Sequence, residues 1–485
     1  MDSETVVKKL WNLCNTLRDN GISYEDYITE LTYILFLKMM EEQGNDDRFP
    51  DGYCWHDLIH YTDNVEMFTF YKKMLEVLSD KKTDADPLVS QIYENASTHI
   101  QNPVDLAQIV HTINDVDWYS AKEENLLGDM YEGLLEKTAN ETKSGAGQYF
   151  TPRALINVIV DLIAPQIEER CNDPACGTFG FMIKASQYLK HKTDDFFEIN
   201  EKQRNFEENE AFSGMELVPK THRLALMNAL LHDMHGKIAE GDSLSSSGQW
   251  MKNFDVVMTN PPFGTKAGSQ RQLRDDIIYP TSNKQLDFLQ IIYNSLNQSG
   301  HARAGVVVPD NVLFAGGVGE KVRKDLLDKC NLHTILRLPS GIFYAKGVQT
   351  NVLFFERGTE DFDNTKEVWV YDMRTNFRTI SKAQPLKESD FSDFVKLYNS
   401  QDISQRSETY SAENPDGRWR KYTIDQIKNR LDTNLDFSWI KVKDDSEDQR
   451  SVSEIINDMA NQVTKINDSI DQLKKILGNR NENDI

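Results

Sequence analysis

Hydrophobic positions recur with a helical period along the first third of the chain. Ile28, Leu31, Leu35 and Met39 are spaced by three or four residues, and similar spacings continue to about residue 137. This spacing is typical of amphipathic helices. It predicts an N-terminal helical domain over residues 1–143, which we expect to act as a scaffold.

The periodicity changes after the glycine-rich segment 144–147, where short β-rich runs begin to alternate with helical patterns. Such alternation predicts an α/β fold with a mostly parallel sheet and ligands beyond the carboxyl ends of its strands. We expect this domain to cover residues 144–358. The expected strands are 211–217, 255–260, 304–309, 332–338 and 351–356, and the expected helices are 153–163, 181–189, 222–234, 288–296 and 321–327.

The C-terminal part contains a weak pattern followed by a strong one. Residues 359–450 form a mixed extension with one clear strand candidate, Val368–Tyr371. From Val452 to Leu477, apolar residues alternate spacings of four and three, which is a heptad repeat. We predict a helix over 451–478 that pairs with a helix of a partner subunit, although it can also pack on its own domain.

Composition and charge narrow the function classes. The chain has 54 Lys and Arg against 77 Asp and Glu, a formal net charge of −23. Such a protein repels a phosphate backbone at long range, so we expect a nucleic-acid enzyme of this kind to have help from a partner, although a local basic groove can coexist with a negative total charge. The N-terminus is polar and no apolar run reaches the length of a membrane span, which predicts a cytoplasmic protein.

Cysteine and histidine usage gives no indication of a metal site. The five cysteines are scattered without a C-x-x-C pair. His232 and His235 end a predicted helix without further ligands nearby in sequence, so we expect a solvated helix end there.

Candidate chemistry begins at a glycine-containing turn, Asp173–Gly180, ahead of an apolar helix pattern. Glycines let the backbone approach a ligand, and a helix N-terminus offers free N–H groups. Phe179 stands where the dinucleotide fingerprint has its second glycine. The alternative to a ligand-binding turn is an ordinary strand-to-helix turn. Glu216 and Asp242 follow at strand ends, where carboxylates can accept hydrogen bonds from a ribose diol and an adenine amino group, respectively.

The most specific motif is Asn260–Gly264, Asn-Pro-Pro-Phe-Gly, directly after an apolar strand. Two prolines make a stiff loop that presents carbonyl oxygens beside the Asn260 side-chain oxygen. Two acceptors on a rigid loop can hold both hydrogens of an amino group and aim its lone pair at an electrophilic methyl group. Phe263 can stack on a base that has left the duplex. The basic residues that follow, Lys266, Arg271, Arg274 and Lys284, are candidates for phosphate contacts, with exposed loop charges as the alternative.

Together these motifs resemble those of S-adenosylmethionine-dependent DNA adenine methyltransferases. The motifs are Gly147–Arg153, the Asp-Pro-Ala-Cys-Gly turn, Gly-Met-Glu-Leu, Gly-Asp-Ser-Leu and Asn-Pro-Pro-Phe. More narrowly, the chain resembles the modification subunit of type I restriction-modification systems over nearly its whole length, including Ser282–Gln285 and Pro309–Asn311. The resemblance implies a Rossmann-like methyltransferase sheet with helices on both faces, between the N-terminal helical domain and a C-terminal helical, coiled-coil segment.

The resemblance also implies roles for individual residues. Tyr149, Phe150 and Thr151 would enclose the methionine part of S-adenosylmethionine, although Thr151 also reads as the N-cap of a helix with Pro152 at its first position. Cofactor-binding residues would further include Asp173, Ala175, Gly177, Glu216 and Asp242, and the catalytic residues would be Asn260, Pro261 and Phe263. No metal is expected.

The implied function is methyl transfer to adenine N6 in double-stranded DNA, with the target site read by a separate specificity subunit. A second copy of the chain and a restriction or translocase subunit would complete the complex. Three alternatives stay open: a self-sufficient DNA methylase that reads sequence with residues 360–450, an amino methyltransferase acting on a protein glutamine or on RNA, and a non-catalytic assembly module.

Overall fold

The fold is known from a computed structural model that describes residues 24–80, 82–83, 86–116, 133, 151–264, 272–343, 348–381, 384–400 and 402–442. Two of the predictions that lie outside these residues concern the cofactor site and assembly. One is the cofactor role of Tyr149 and Phe150, and the other is the heptad helix over 451–478. The described part of the chain up to Ile440 belongs to one compact unit, separate from Lys441–Ile485.

A nine-stranded sheet organises the described residues from 151 onward, in the order β3-β2-β1-β4-β5-β7-β6-β8-β9. The strands are β1 Cys171–Asp173, β2 Phe212–Glu216, β3 Ile238–Glu240, β4 Val256–Thr259, β5 Arg303–Pro309, β6 Cys330–Arg337, β7 Thr350–Arg357, β8 Glu367–Asp372 and β9 Trp419–Thr423. Strands β3, β2, β1, β4 and β5 pair in parallel, as do β6 and β8. Strand β7 is antiparallel to both β5 and β6, and β9 is antiparallel to β8. Both strands of the 359–450 extension therefore continue this sheet.

The helices of the described residues are numbered α1 to α14 in chain order. They are α1 Tyr24–Glu42, α2 Trp55–Ile59, α3 Asn64–Ser79, α4 Pro87–Ile92, α5 Pro103–Asn114, α6 Arg153–Ile163, α7 Gly180–Lys192, α8 Glu201–Asn209, α9 Pro219–Leu231, α10 Lys284–Ser295, α11 Asp310–Phe314, α12 Val318–Lys329, α13 Ser392–Tyr398 and α14 Ile424–Lys428. None of these helices is long and apolar enough to cross a membrane.

The sheet has a hydrophobic core on each face, because successive side chains of a strand point to opposite sides. In β5, Val307 belongs to one core, whereas Val306 and Val308 belong to the other. Helices α6, α7 and α9 pack on the first face, and α10 and α12 pack on the second. The predicted α/β architecture, with helices on both faces of the sheet, is confirmed.

The N-terminal helices join the first core and contact α9. The Gln43 Nε2 atom donates to the Leu231 carbonyl at 3.1 Å, and the Arg223 guanidinium donates to the Glu94 carbonyl at 2.7 Å. Arg223 also lies over the ring of Tyr33, 5.3 Å from its centroid. Among the described helices before residue 117, α1 and α4 thus pack against the helix that follows β2.

The strand order reverses between β1 and β4. The chain passes from β1 outward through β2 and β3, and then returns to the other side of β1 as β4 and β5. In open α/β sheets, a crevice forms at the carboxyl ends of the strands where the order reverses. Asp173 ends β1 and Asn260 follows β4, so the two main motifs flank this crevice.

Candidate active site

The turn after β1 is shaped by the Asp173 carboxylate and by backbone groups. Asp173 is buried, and its Oδ1 atom accepts a hydrogen bond from the Ala175 N–H at 3.0 Å. Gly177 has a φ of 54°, a left-handed conformation that glycine adopts at little cost. Its N–H donates to Oε2 of Glu216 at 3.1 Å. The turn therefore lies against the end of β2.

Glu216 joins the turn to the start of α9. While Oε2 accepts from Gly177, Oε1 accepts from the Val218 N–H at 2.8 Å. Each carboxylate oxygen has a second lone pair, so Glu216 can still accept hydrogen bonds from a ligand. Burial raises the pKa of Asp173 to about 7 and also raises the pKa of Glu216, because the ionised forms lose hydration. A bound cation would oppose both shifts.

Phe179, the departure from the glycine-rich pattern, belongs to the core. It is buried and has a φ of 71°, and a Cβ atom added at Gly214 would lie 3.0 Å from its ring and 2.8 Å from the Cys176 Cβ. The ring thus fills space that Gly214 leaves open in β2. Phe179 is accommodated by packing against the sheet.

Asp242 lies two residues after β3, at the same edge of the sheet as Glu216. Glu216 and Glu240 are register partners in the parallel β2–β3 pair. Oδ1 of Asp242 accepts from the Leu244 N–H at 3.1 Å, and the side chain is half-buried. Strand ends thus place Asp173, Glu216 and Asp242 along one edge, as the sequence predicts.

Asn260 is held by a residue that precedes α6. Its Nδ2 atom donates to Oγ1 of Thr151 at 3.0 Å, whereas its buried Oδ1 atom has no hydrogen-bond partner among the described residues. The prediction that Thr151 is a helix N-cap is wrong. Pro152 directly precedes the first helical residue, no side chain caps that end, and the Thr151 hydroxyl is engaged by Asn260 instead.

The rest of the Asn-Pro-Pro-Phe loop, residues 260–263, is held by two side chains that the sequence reasoning did not assign to the site. Gln285 Nε2 donates to the Pro262 carbonyl at 2.8 Å. The rings of Phe263 and Phe343 meet edge to face at 5.5 Å between centroids. Gln285 lies in the Ser282–Gln285 stretch that carries part of the resemblance, whereas nothing in the sequence around Phe343 marks it.

Two expectations about individual side chains need correction. Arg274 is not available to phosphates, because it is 2% exposed and forms two hydrogen bonds with the Asp276 carboxylate, at 2.9 and 2.6 Å. His232 is buried and not solvated, and its Nδ1 lies 2.8 Å from the Asn228 carbonyl. Within the described residues, no group of three or more His, Cys, Asp or Glu side chains can hold a metal ion. Lys266 and Arg271 lie outside those residues.

Comparison with protein families gives two matches. The N-6 DNA Methylase family matches residues 122–448, which is more than half of the chain. The HsdM N-terminal domain family matches residues 6–113.

Individual relatives cover nearly the whole chain. The type I restriction enzyme EcoKI methylase subunit of Escherichia coli (strain K12) is 42% identical, over 100% of this chain and 97% of its own length. The StySPI methylase subunit of Salmonella potsdam is 44% identical, over 92% of this chain and 89% of its own length.

Solved structures agree. The crystal structure of the EcoKI M protein matches with a TM-score of 0.58 and 38% identity, covering 99% of this chain and 98% of that one. A chain from a study of complex assembly in a type I R-M system matches with a TM-score of 0.75 and 26% identity, covering 99% of both chains. The resemblance found in the sequence is confirmed: the chain belongs to the N-6 DNA methylase family and, within it, to the methylase subunits of type I restriction enzymes.

Proposed function

We propose that this chain transfers a methyl group from S-adenosylmethionine to the N6 amino group of adenine in double-stranded DNA. It acts as the modification subunit of a type I complex, and a separate specificity subunit reads the target. The observation that supports the proposal is the hydrogen bonding of the Asn260 side chain. Its Nδ2 is engaged by Thr151, and its Oδ1 is buried without a partner among the described residues. A buried acceptor without a donor is costly unless a ligand supplies one.

An adenine amino group supplies that donor. One of its hydrogens would be accepted by Asn260 Oδ1 and the other by the Pro261 carbonyl, because the prolines leave the loop rich in acceptors. Held in this way, the nitrogen lone pair is directed out of the ring plane toward the methyl group. The N–C bond would form as the methyl C–S bond breaks with its electron pair going to sulfur, and the amino nitrogen would release one proton to solvent water. S-adenosylmethionine supplies the electrophilic methyl group.

The residues along the strand ends fit such a cofactor. Glu216 would accept from the ribose hydroxyls, and Asp242 would accept from the cofactor's adenine amino group. Asp173, Ala175 and Gly177 would form the wall of its pocket, together with Thr151 and with Tyr149 and Phe150, which lie outside the described residues. The cofactor is cationic at sulfur and at its α-amino group, which suits a site where burial has raised the pKa of two carboxyl groups.

Double-stranded DNA and a specificity subunit are the proposed main partners. A net charge of −23 favours a partner that supplies basic surface for the phosphate backbone. We assign residues 1–143 to scaffolding, 144–358 to catalysis, 359–450 to an extension of the catalytic sheet, and 451–478 to assembly. A second copy of the chain and a restriction subunit would join the same complex, in the cytoplasm.

Family membership favours DNA over a protein glutamine or RNA substrate. A self-sufficient methylase would need a reading surface in residues 360–450. Two strands of the catalytic sheet occupy part of that segment.

The test is methyl incorporation into DNA by Asn260→Ala in the presence of the specificity subunit. Incorporation should fall by at least about 100-fold, the usual effect of removing one transition-state acceptor or donor. Asn209→Ala, which changes an exposed asparagine at the end of α8, is the matched control and should keep full activity. Full activity of a folded Asn260→Ala variant would contradict the role that the proposal gives to Asn260.

A further inference from the structure

The two central residues of the Asn-Pro-Pro-Phe loop have no backbone N–H groups with which to hold its shape. Pro261 and Pro262 have none, although their rings fix both φ angles. The ψ angle of Pro261 is restricted as well, because a proline follows it. The ψ angle of Pro262 has no such restriction. This single torsion sets the direction of the Pro262 carbonyl and the position of Phe263.

Gln285 acts on that torsion. Its Nε2 atom donates to the Pro262 carbonyl at 2.8 Å, and the residue is 2% exposed. Its backbone is fixed in turn, because it lies in the first turn of α10 and donates its N–H to Oδ1 of the capping residue Asn283 at 3.0 Å. A donor on the rigid start of a helix therefore determines how Pro262 is turned.

The same helix end holds the loop on the far side of Phe263. The Lys284 N–H donates to the Gly264 carbonyl at 3.4 Å. Gly264 has a φ of 114°, a backbone conformation that favours glycine, and a Cβ atom added there would meet nothing within 4 Å. Neighbouring side chains therefore do not hold Gly264 in place. Phe263 thus lies between two carbonyl groups that both receive hydrogen bonds from the start of α10.

We propose that Gln285 is a positioning residue of methyl transfer. By fixing the Pro262 carbonyl, it places Phe263 against Phe343 and leaves the Pro261 carbonyl as the loop acceptor for the target amino group. Among the described residues, its hydrogen bonds go to Asn283 and Pro262 and not to the turn after β1 or to Glu216, so it positions the target base and not the cofactor. This inference rests on the proposed function, because it assigns a role within that reaction.

The test compares Gln285→Met with Gln290→Met in the complex with the specificity subunit. Gln290 is the matched control because it is also buried on α10, but its side chain holds the backbone of Tyr279, with Nε2 donating to the Tyr279 carbonyl at 3.0 Å. We expect kcat to fall about 10-fold or more in Gln285→Met, because small misplacements of a reacting group are costly. The dissociation constant for S-adenosylmethionine should stay within about 2-fold of wild type, since no cofactor contact is lost. Gln290→Met should keep the wild-type kcat.

A second variant, Gln285→Glu, keeps the shape of the side chain. Its carboxyl group can donate to the Pro262 carbonyl only when protonated. Its kcat relative to wild type should therefore rise as the pH falls from 8 to 6, a response that a purely structural role would not produce.

The inference is overturned if Gln285→Met has the wild-type kcat, if it loses no more activity than Gln290→Met, or if its loss lies in cofactor binding. A Gln285→Glu to wild-type ratio that does not change with pH also contradicts it. Failure of the proposed function looks different, because the wild-type complex itself would then methylate no adenine.

Discussion

Replacing Thr151 by valine removes one hydroxyl group and keeps the branched shape of the side chain. In the wild type, that hydroxyl oxygen accepts a hydrogen bond from Asn260 Nδ2 at 3.0 Å, at a position that is 9% exposed. In the variant, the Asn260 amide loses the hydrogen bond that fixes its orientation. In the transition state, it must present Oδ1 to the target amino group, and Nδ2 is then left without a partner.

The structure gives a magnitude for this loss. A neutral hydrogen bond contributes about 1 kcal/mol, and a buried donor left without a partner costs about 1–3 kcal/mol. A net loss of about 1–2 kcal/mol in the transition state corresponds to roughly a 5- to 30-fold lower kcat. Thr151→Ser keeps the hydroxyl and should retain a kcat within about 3-fold of wild type, since the hydrogen bond remains.

The assay measures kcat for methyl transfer by the complex, together with the dissociation constant for S-adenosylmethionine. The resemblance places Thr151 around the methionine part of the cofactor, which predicts a binding defect. The contact with Asn260 predicts a kcat defect. A Thr151→Val variant with normal kcat and weakened cofactor binding would refute the positioning argument.

Three further predictions concern stability and assembly. Burial raises the pKa of Asp173 to about 7 in the folded chain. The contribution of this group to the free energy of unfolding is therefore largest below about pH 4 and falls by about 4 kcal/mol as the pH rises to 7. Asp173→Asn should remove this pH dependence in urea unfolding. Arg323→Met should lower the free energy of unfolding by at least about 2 kcal/mol, because the buried guanidinium donates to the carbonyls of Val312, Asp432 and Thr433. Lys321→Met, on the exposed side of α12, should have little effect in the same measurement. Deleting residues 451–478 should abolish co-purification with the specificity subunit while methyl donor binding persists, and retained co-purification would show that the heptad segment is not the assembly element.

Local patterns predicted most of the sheet and its helices. The predicted helix 153–163 has the bounds that the structure shows, and the strand ends that carry Glu216 and Asn260 were expected within one residue. Strand β9 was missed, because Trp419–Thr423 contains two consecutive charged residues, Arg420 and Lys421, and so lacks a simple alternation of apolar and polar positions.

Pairings between distant residues set the limit of sequence reasoning about the site. The order of the motifs along the chain was enough to predict that Asp173 and Asn260 lie at one crevice, because parallel strands end at the same edge of a sheet. The Thr151–Asn260 contact joins residues 109 positions apart, and a threonine before a proline is also a common start of a helix. The role of Gln285 could not be predicted from the sequence either. A polar residue near the start of a helix is usually exposed, and only the fold places its carboxamide against Pro262.

The most direct test of the account is methyl transfer from labelled S-adenosylmethionine to genomic DNA by the purified chain, alone and together with the subunits encoded beside it. The modified base is identified after digestion of the DNA. The account predicts labelled N6-methyladenine only when the specificity subunit is present, and at least about 100-fold less of it with Asn260→Ala. Label in another base, or in adenine at specific sites with the chain alone, would contradict it.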